Sequence, residues 1–237
     1  YFARPDSVME GTPVYETRKR IGAELARESG VAADLIVPVP DSGVPAAMGY
    51  AVESGIPFEL GIIRNHYVGR TFIEPTDQIR HLGVKLKHSA NRAMIQGKRV
   101  VLVDDSIVRG TTSKARVTSL KEAGAREVHV LVSCPPHIHP CVYGIDFPER
   151  SKLMAATNSL EEIRRFLNAD SLGYLSLEGM VAATGRPKNQ FCLACYDGNY
   201  PVAYDPSTDK HIIERRRSRA GTLSAELESS LRQPRLL

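Results

Sequence analysis

No run of apolar residues in this 237-residue chain is long enough to cross a membrane. A spanning helix needs about 18 consecutive apolar residues, and Lys, Arg, Asp or Glu interrupts every candidate stretch. The first residues, YFARPDS, also lack the apolar segment of a signal peptide. Cysteine is scarce, with four residues, which excludes a disulfide scaffold. We therefore expect a cytoplasmic protein. For its cysteines, we expect metal binding or catalysis rather than disulfide bonds.

The predicted folded part of the chain has no excess of positive charge. The whole sequence carries 31 basic and 27 acidic residues, a formal net charge of +4. Seven basic and three acidic residues fall between positions 210 and 237, so positions 1–209 hold 24 of each sign. This balance argues against nucleic-acid binding by the folded part, and the run ERRRSR at 214–219 is typical of a solvated tail.

Hydrophobic periodicity predicts alternating strands and helices. Apolar runs predict strands at 34–40, 56–63, 98–105 and 126–134, and helix signals predict helices at 12–30, 44–55, 113–124 and 159–168. The first helix has Thr12 as its expected N-cap, Pro13 as its first residue and Gly30 just after its end. This alternation indicates an α/β fold, a parallel sheet flanked by helices.

Sequence pattern divides the chain into three parts. Residues 1–134 hold the predicted α/β core, including an aperiodic loop at about 64–93. That loop is longer than ordinary connections, which makes it a candidate functional loop. Residues 135–204 are less regular, and we expect a smaller C-terminal subdomain there. Residues 205–237 form the basic tail.

The segment from Val100 to Ser113, VVLVDDSIVRGTTS, carries the clearest chemical signal. A hydrophobic strand delivers Asp104 and Asp105 to its carboxyl end, where α/β sheets bind ligands. Backbone N–H groups of the following turn and helix start can hold a phosphate, and the carboxylates then suit ribose hydroxyls or Mg²⁺. The patterns G-x-G-x-x-G and G-x-x-x-x-G-K-[ST] are absent, so neither a dinucleotide site nor an NTPase is indicated. Taken alone, the aspartate pair is equally consistent with a turn former and N-cap.

The same segment resembles the phosphoribosyl pyrophosphate (PRPP) motif of type I phosphoribosyltransferases. Further segments are similar to the phosphoribosyltransferase half of the glutamine PRPP amidotransferase family: YFARPDS at 1–7, PVPDSG at 38–43, NHYVGRTFIEP at 65–75 and CLACYDGNYPV at 192–202. The resemblance runs from residue 1 to about residue 204. It implies the type I phosphoribosyltransferase fold and an amidophosphoribosyltransferase activity. In that reaction ammonia displaces pyrophosphate from PRPP and gives 5-phosphoribosylamine, the first step of de novo purine biosynthesis.

The resemblance also implies which residues bind the substrate. Contacts to PRPP are expected from Asp41, Ser42, Gly43, Asp104, Asp105, Ser106, Ile107, Val108, Arg109, Gly110, Thr111 and Thr112. The N–H groups of Ser42 and Gly43 are expected near the pyrophosphate. Magnesium is expected on Ser42, Asp104 and Asp105.

A lid formed by the loop at 64–93 is a further implication of the resemblance. Closing over PRPP would exclude water and bring in Tyr67 and Arg70 as catalytic residues, with Arg64 as another cation for pyrophosphate. The family more often has Lys at position 64, and Arg where this chain has His66. The charge of His66 depends on pH, so we leave it out of the catalytic set.

The cysteines allow two interpretations. Cys192 and Cys195 form a single C-x-x-C pair, which is not the spacing of a zinc ribbon. One branch of the family carries a [4Fe–4S] cluster, and the resemblance puts its ligands at Cys141, Cys192, Cys195 and a fourth cysteine upstream of Tyr1. Cys134 stands where the family usually has a small residue. The alternative is that all the cysteines are inert reduced thiols.

The expected partners follow from the same resemblance. They are PRPP, ammonia and pyrophosphate, a glutaminase domain or chain, other copies of this chain in a homo-oligomer, and purine nucleotides as feedback inhibitors. No membrane and no nucleic acid are expected. No cysteine stands at the N-terminus, so we expect no glutamine hydrolysis by this chain. Two alternatives remain: a PRPP-sensing regulator of the same fold that binds nucleic acid, and a purine salvage transferase, for which no base-binding segment is recognisable.

Overall fold

The computed structural model describes residues 3–65, 88–145 and 147–203. Its strands are β1 (Val8–Met9), β2 (Thr12–Pro13), β3 (Leu35–Pro38), β4 (Ile62–Arg64), β5 (His88–Ala90), β6 (Arg99–Asp104), β7 (Glu127–Val132) and β8 (Ser171–Tyr174). Its α-helices are α1 (Val14–Ser29), α2 (Val44–Ser54), α3 (Arg92–Ile95), α4 (Thr111–Glu122), α5 (Met154–Thr157), α6 (Leu160–Leu167), α7 (Leu177–Thr184) and α8 (Ala194–Asp197). Short 3₁₀ turns lie at Arg150–Lys152 and Lys188–Gln190. Within the described residues, no helix is long and apolar enough to cross a membrane.

A parallel sheet organises these elements. Its strand order is β3-β6-β7-β8, with Leu35 opposite Val100 and Arg99 opposite Glu127. Three of its strands were predicted from the sequence, and the predicted parallel α/β fold is confirmed. The fourth strand, β8, was missed because four residues, SLGY, carry too short a pattern to stand out.

The strand predicted at 56–63 is wrong as a single element. Phe58 makes only an isolated bridge to Ile36, and the chain then turns away. Residues 62–64 form β4, which pairs antiparallel with β5 in a separate two-stranded sheet. The described ends of the predicted lid therefore pair with each other, whereas residues 66–87 lie outside the described part.

The first helix starts later than predicted. Thr12 and Pro13 belong to β2, which pairs with β1, and Pro13 itself is the N-cap, with an extended ψ of 125°. The predicted end is confirmed, because Gly30 follows α1 in the left-handed conformation that favours glycine. The N-cap predicted at 159 is also confirmed: Ser159 and Glu162 form a capping box on α6.

Helices cover both faces of the sheet. Alternate residues of β6 point to opposite faces: Val101 and Val103 pack with α1 and α2, and Val100 and Leu102 pack with α4 and α6. The core on the α1 side includes Ile21, Leu25, Ile36, Ala47, Tyr50 and Leu131. The core on the other side includes Val37, Val117, Leu120, Val130, Ile163 and Leu167.

The sheet crosses the predicted domain boundary at residue 134. Strand β8 pairs with β7, and Glu28 of α1 accepts hydrogen bonds from the amide and hydroxyl of Ser176, the N-cap of α7, at 2.8 and 2.6 Å. Much of the region predicted to form a smaller subdomain is thus built onto the main sheet and its first helix.

Helices α1 and α2 cross in backbone contact. A Cβ added to Gly22 would lie 1.8 Å from the carbonyl oxygen of Ala46, and one added to Gly49 would lie 1.8 Å from that of Lys19. Real side chains do not approach backbone so closely, so only glycine permits this crossing. The contact fixes α1 relative to the helix that follows β3.

We predict that Gly49→Ala lowers the free energy of unfolding by about 3 kcal/mol, because the added methyl group forces the two helices apart. Urea unfolding followed by circular dichroism measures the change. Val52→Ala is the control, since Val52 lies on the same helix and is 83% exposed; it should change stability by less than about 0.5 kcal/mol. Equal stability of the two variants would contradict the inferred contact.

Candidate active site

Two loops meet at the carboxyl edge of the sheet. Strands β3 and β6 are parallel neighbours, so the segments after them emerge side by side. The amide of Val39 extends the pairing by donating to the carbonyl of Val103 at 2.8 Å. We call Pro40–Gly43 the first loop and Asp105–Gly110 the second loop.

Backbone contact fixes the first loop. A Cβ on Gly43 would lie 2.4 Å from the carbonyl oxygen of Val103, so this position requires glycine. The amide of Gly43 donates to the carbonyl of Val39 at 2.9 Å. In this structure the N–H group of Gly43 is thus engaged by Val39, and its expected position near the pyrophosphate stays a prediction. The carboxylate of Asp41 forms an ion pair with Arg64 of β4, so two of the predicted site residues are in direct contact.

The two adjacent aspartates have different environments. Asp104 is buried, with 4% of its side chain exposed, and its Oδ2 accepts from Arg116 Nη1 at 3.1 Å and Ser113 Oγ at 3.2 Å. Burial raises the pKa of Asp104 to about 7, and the guanidinium of Arg116 opposes that shift. Asp105 is half-buried, and its amide donates to Asp104 Oδ1 at 3.0 Å. Asp104 thus ties the end of β6 to the first two turns of α4, and Asp105 is the more accessible carboxylate.

The second loop leads into the N-terminus of α4. Gly110, the N-cap, has φ of 73°, and no side chain caps the helix. The first N–H groups of α4 lack intrahelical partners, and this end of the helix therefore favours the binding of an anion. Of the predicted contacts here, Thr111, Thr112 and Arg109 are exposed, Ser106 and Val108 are half-buried, and Ile107 and Gly110 are buried.

The segment that follows β7 packs against the second loop. The amide of Met154 donates to the carbonyl of Val108 at 2.8 Å. A Cβ on Gly110 would lie 2.6 Å from Met154 Sδ, and its left-handed φ favours glycine as well. Lys114 lies 4.4 Å from the centre of the Phe166 ring in a cation–π contact. The second loop and the start of α4 therefore pack against α5 and α6.

Sequence reasoning missed three residues that contact these loops or the adjoining Asp104. Ser113 and Arg116 lie three residues apart on α4, next to its buried Val117; a charged residue beside the apolar face was the available signal. Arg18 of α1 donates to the carbonyl of Ser42 at 3.1 Å, and no local pattern links positions so distant in sequence. Tyr67 and Arg70, the predicted lid residues, lie outside the described part.

The cysteines occupy one region without forming a metal site there. All four are free thiols, and the amides of Ile138 and His139 each donate to the carbonyl of Cys195 at 3.2 Å. Burial raises the pKa of Cys195 to about 11, with smaller contributions from Cys141 and Cys192. Among residues 3–65, 88–145 and 147–203, no three His, Cys, Asp or Glu side chains converge to hold a metal ion.

Comparison with known proteins identifies the family. The phosphoribosyl transferase domain matches residues 12–140, more than half of the chain. The chain belongs to the phosphoribosyltransferase family. It is 61% identical over 210 residues to the amidophosphoribosyltransferase of Rhizobium etli, an alignment that covers 85% of this chain and 42% of the relative. With the amidophosphoribosyltransferase of Bacillus subtilis it shares 52% identity over 219 residues, covering 90% of this chain and 46% of the relative.

Solved structures agree with this family assignment. Glutamine PRPP amidotransferase from B. subtilis, complexed with ADP and GMP, matches with a TM-score of 0.81 at 52% identity, covering 88% of this chain and 47% of that one. The resemblance to amidophosphoribosyltransferases and the type I phosphoribosyltransferase fold are therefore confirmed. The regulator alternative is not favoured, since these relatives are named as enzymes. The chain spans less than half the length of each of them.

We predict that Arg116→Met destabilises the fold by about 3 kcal/mol, because it leaves the buried carboxylate of Asp104 without its cation. The double variant Asp104→Asn with Arg116→Met should recover most of that loss, since neither a buried charge nor its partner remains. The Nε of Arg116 is buried with no hydrogen-bond partner among the described residues, which limits what the intact pair contributes. A urea-unfolding double-mutant cycle checks this, and additive losses in the double variant would contradict the coupling.

Proposed function

We propose that this chain is the phosphoribosyltransferase part of an amidophosphoribosyltransferase. It binds PRPP with Mg²⁺, and ammonia attacks C1 of the ribose as pyrophosphate leaves, giving 5-phosphoribosylamine in the first step of de novo purine biosynthesis. The observation that carries the proposal is the junction of the two loops at one sheet edge, on a chain that is 52–61% identical to amidophosphoribosyltransferases. Each loop suits one charged end of the same substrate.

The second loop is the proposed cradle for the 5′-phosphate. Its support is the uncapped N-terminus of α4, where N–H groups and the helix dipole favour an anion. The hydroxyls of Thr111 and Thr112 are exposed at that end and suit the remaining phosphate oxygens. Asp105, the first residue of the loop, is only half-buried and is the proposed partner of the ribose hydroxyls.

The first loop, with its residues Asp41, Ser42 and Gly43, is the proposed site for pyrophosphate. Arg64, paired with Asp41 in the structure, supplies positive charge for the leaving group, and we propose that Tyr67 and Arg70 join it when the lid closes. Displacement forms the N–C1 bond and breaks the bond from C1 to pyrophosphate, and the attacking ammonia loses a proton. The protein's task is therefore to hold negative charge and to exclude water.

The site residues fit a magnesium ion that arrives with the substrate. Mg²⁺ is commonly held by one or two carboxylates together with phosphate oxygens and water, so it needs no complete protein cage. The described residues offer Asp105 and, from the first loop, Ser42, whereas the Asp104 carboxylate is engaged by Arg116 and Ser113. When bound, the ion would neutralise charge on the pyrophosphate as it leaves.

Other partners belong to the whole enzyme. We propose a glutaminase domain or chain as the ammonia source, a homo-oligomeric assembly, and purine nucleotides as feedback inhibitors. The complex of the B. subtilis relative with ADP and GMP supports the last of these. The four free thiols support a reducing compartment, and the cytoplasm is the location we propose.

The function is tested by pyrophosphate release from PRPP. With Mg²⁺ and ammonium at raised pH, where more ammonia is unprotonated, the chain should release pyrophosphate, and glutamine should not replace ammonium. Asp105→Asn should weaken PRPP binding about tenfold in calorimetry, the loss of one charge-assisted contact. Glu178→Gln, an exposed carboxylate on α7, is the matched control. Glutamate release from glutamine, or unchanged affinity in Asp105→Asn, would count against the proposal.

A [4Fe–4S] cluster on Cys141, Cys192 and Cys195 is a separate proposal. Its support is the adjacency of the segments that carry Cys141 and Cys195, where Tyr200 also donates to the carbonyl of Pro140 at 2.6 Å. Among the described residues, no three His, Cys, Asp or Glu side chains form a group that could hold a single metal ion, so the proposal is supported by the adjacency of the two segments and by the resemblance alone. Cys134 is buried, and its Sγ lies 4.0 Å from Nδ1 of His137; we propose that it is not a ligand.

We predict that a version of the chain extended upstream to include a fourth cysteine, purified without oxygen, is brown and contains about four iron and four sulfide per chain. Cys192→Ser should lose the colour, and Cys134→Ser should keep it. A colourless extended protein with one zinc ion, or with no metal, would reject the cluster.

A further inference from the structure

Helix α1 lies outside both loops of the proposed site, yet one of its side chains reaches the first loop. Arg18 Nη1 donates to the carbonyl oxygen of Ser42 at 3.1 Å, and Nη2 of the same guanidinium donates to the carbonyl oxygen of Ala3 at 2.9 Å. The side chain is half-buried. Its planar fork therefore joins two stretches of backbone that are far apart in sequence.

The peptide group between Ser42 and Gly43 is fixed on both sides. Its carbonyl is held by Arg18, and its N–H group donates to the carbonyl of Val39 at 2.9 Å. A carbonyl oxygen carries partial negative charge, so a peptide group that rotated this oxygen toward a bound anion would repel it. Arg18 holds the oxygen on the side of α1.

The backbone of α1 at Arg18 is fixed by its packing against α2. Arg18 precedes Lys19, whose carbonyl is in contact with Gly49 of α2, and Gly22 one turn later is in contact with Ala46. Ile21 and Leu25 anchor the same helix in the core. Because α2 begins directly after the first loop, the crossing of α1 and α2 sets the distance that Arg18 must span.

We propose that Arg18 is a positioning residue for the pyrophosphate end of the substrate site. It acts through the Ser42 carbonyl and has no role at the phosphate cradle of the second loop. The inference rests on the proposed function, since it concerns how the first loop receives pyrophosphate. Neither loop pattern in the sequence includes this residue.

Two partial ligands separate this role from a general structural one. Pyrophosphate with Mg²⁺ probes the first loop, and ribose 5-phosphate probes the second, and calorimetry on the full chain measures both. Arg18→Met should weaken pyrophosphate binding about tenfold, because the ligand must then fix the released peptide group, at a cost of the order of one charged hydrogen bond. Binding of ribose 5-phosphate should be unchanged. Arg18→Lys, which retains the charge but can reach the Ser42 carbonyl only as a single point donor, should recover part of the loss.

Arg20→Met is the matched control, because Arg20 lies on the same helix, is exposed and bonds only Thr17 among the described residues. It should bind both ligands as the unmodified chain does. Equal weakening of both ligands in Arg18→Met, or no weakening of either, would overturn the inference. If Arg18→Met does not fold, Arg18→Lys decides by the same comparison of the two ligands. An unmodified chain that binds neither ligand would refute the proposed function, and the inference with it.

Discussion

The α-carbon of Gly43 rests against the carbonyl oxygen of Val103, and the arrangement of the site depends on this contact. It brings the loop after β3 down onto the end of β6, where the second loop begins. Any side chain at position 43 would separate the two loops. The parallel pairing of β3 and β6 makes the two loops emerge at the same edge of the sheet, and the absence of a Cβ at Gly43 lets them lie close together.

Two supports from outside the sheet hold the loops in place. The first loop is held by α1 and α2, which lie on one face of the sheet and touch through glycines. The second loop is backed by Met154 and by the helix that carries Phe166, which lie on the other face. The two halves of the site are therefore supported by different cores, and the strand they share is β6.

The sequence was sufficient for β3 and β6, the two strands whose ends carry the candidate site. Long apolar runs such as the one ending at Asp104 are unambiguous, and the loops after them carry recognisable residues. What could not be predicted depends on partners distant in the chain. Strand alternation places Asp104 on the same side of β6 as Leu102, but its contact with Arg116 depends on another element, and the engagement of the Gly43 amide depends on how the first loop folds back on Val39. The short strand β8 carried too little pattern to be seen.

The position of β8 bears on how this chain can be divided. It covers one edge of β7, and α7 directly after it is tied to α1 by Glu28. A fragment that stopped at residue 134 would leave the backbone donors and acceptors of β7 unpaired along that edge. Val128, Val130 and Val132 of β7 would no longer be packed with Ile163 and Leu167. Exposed edges of this kind template pairing between chains, so we expect such a fragment to aggregate.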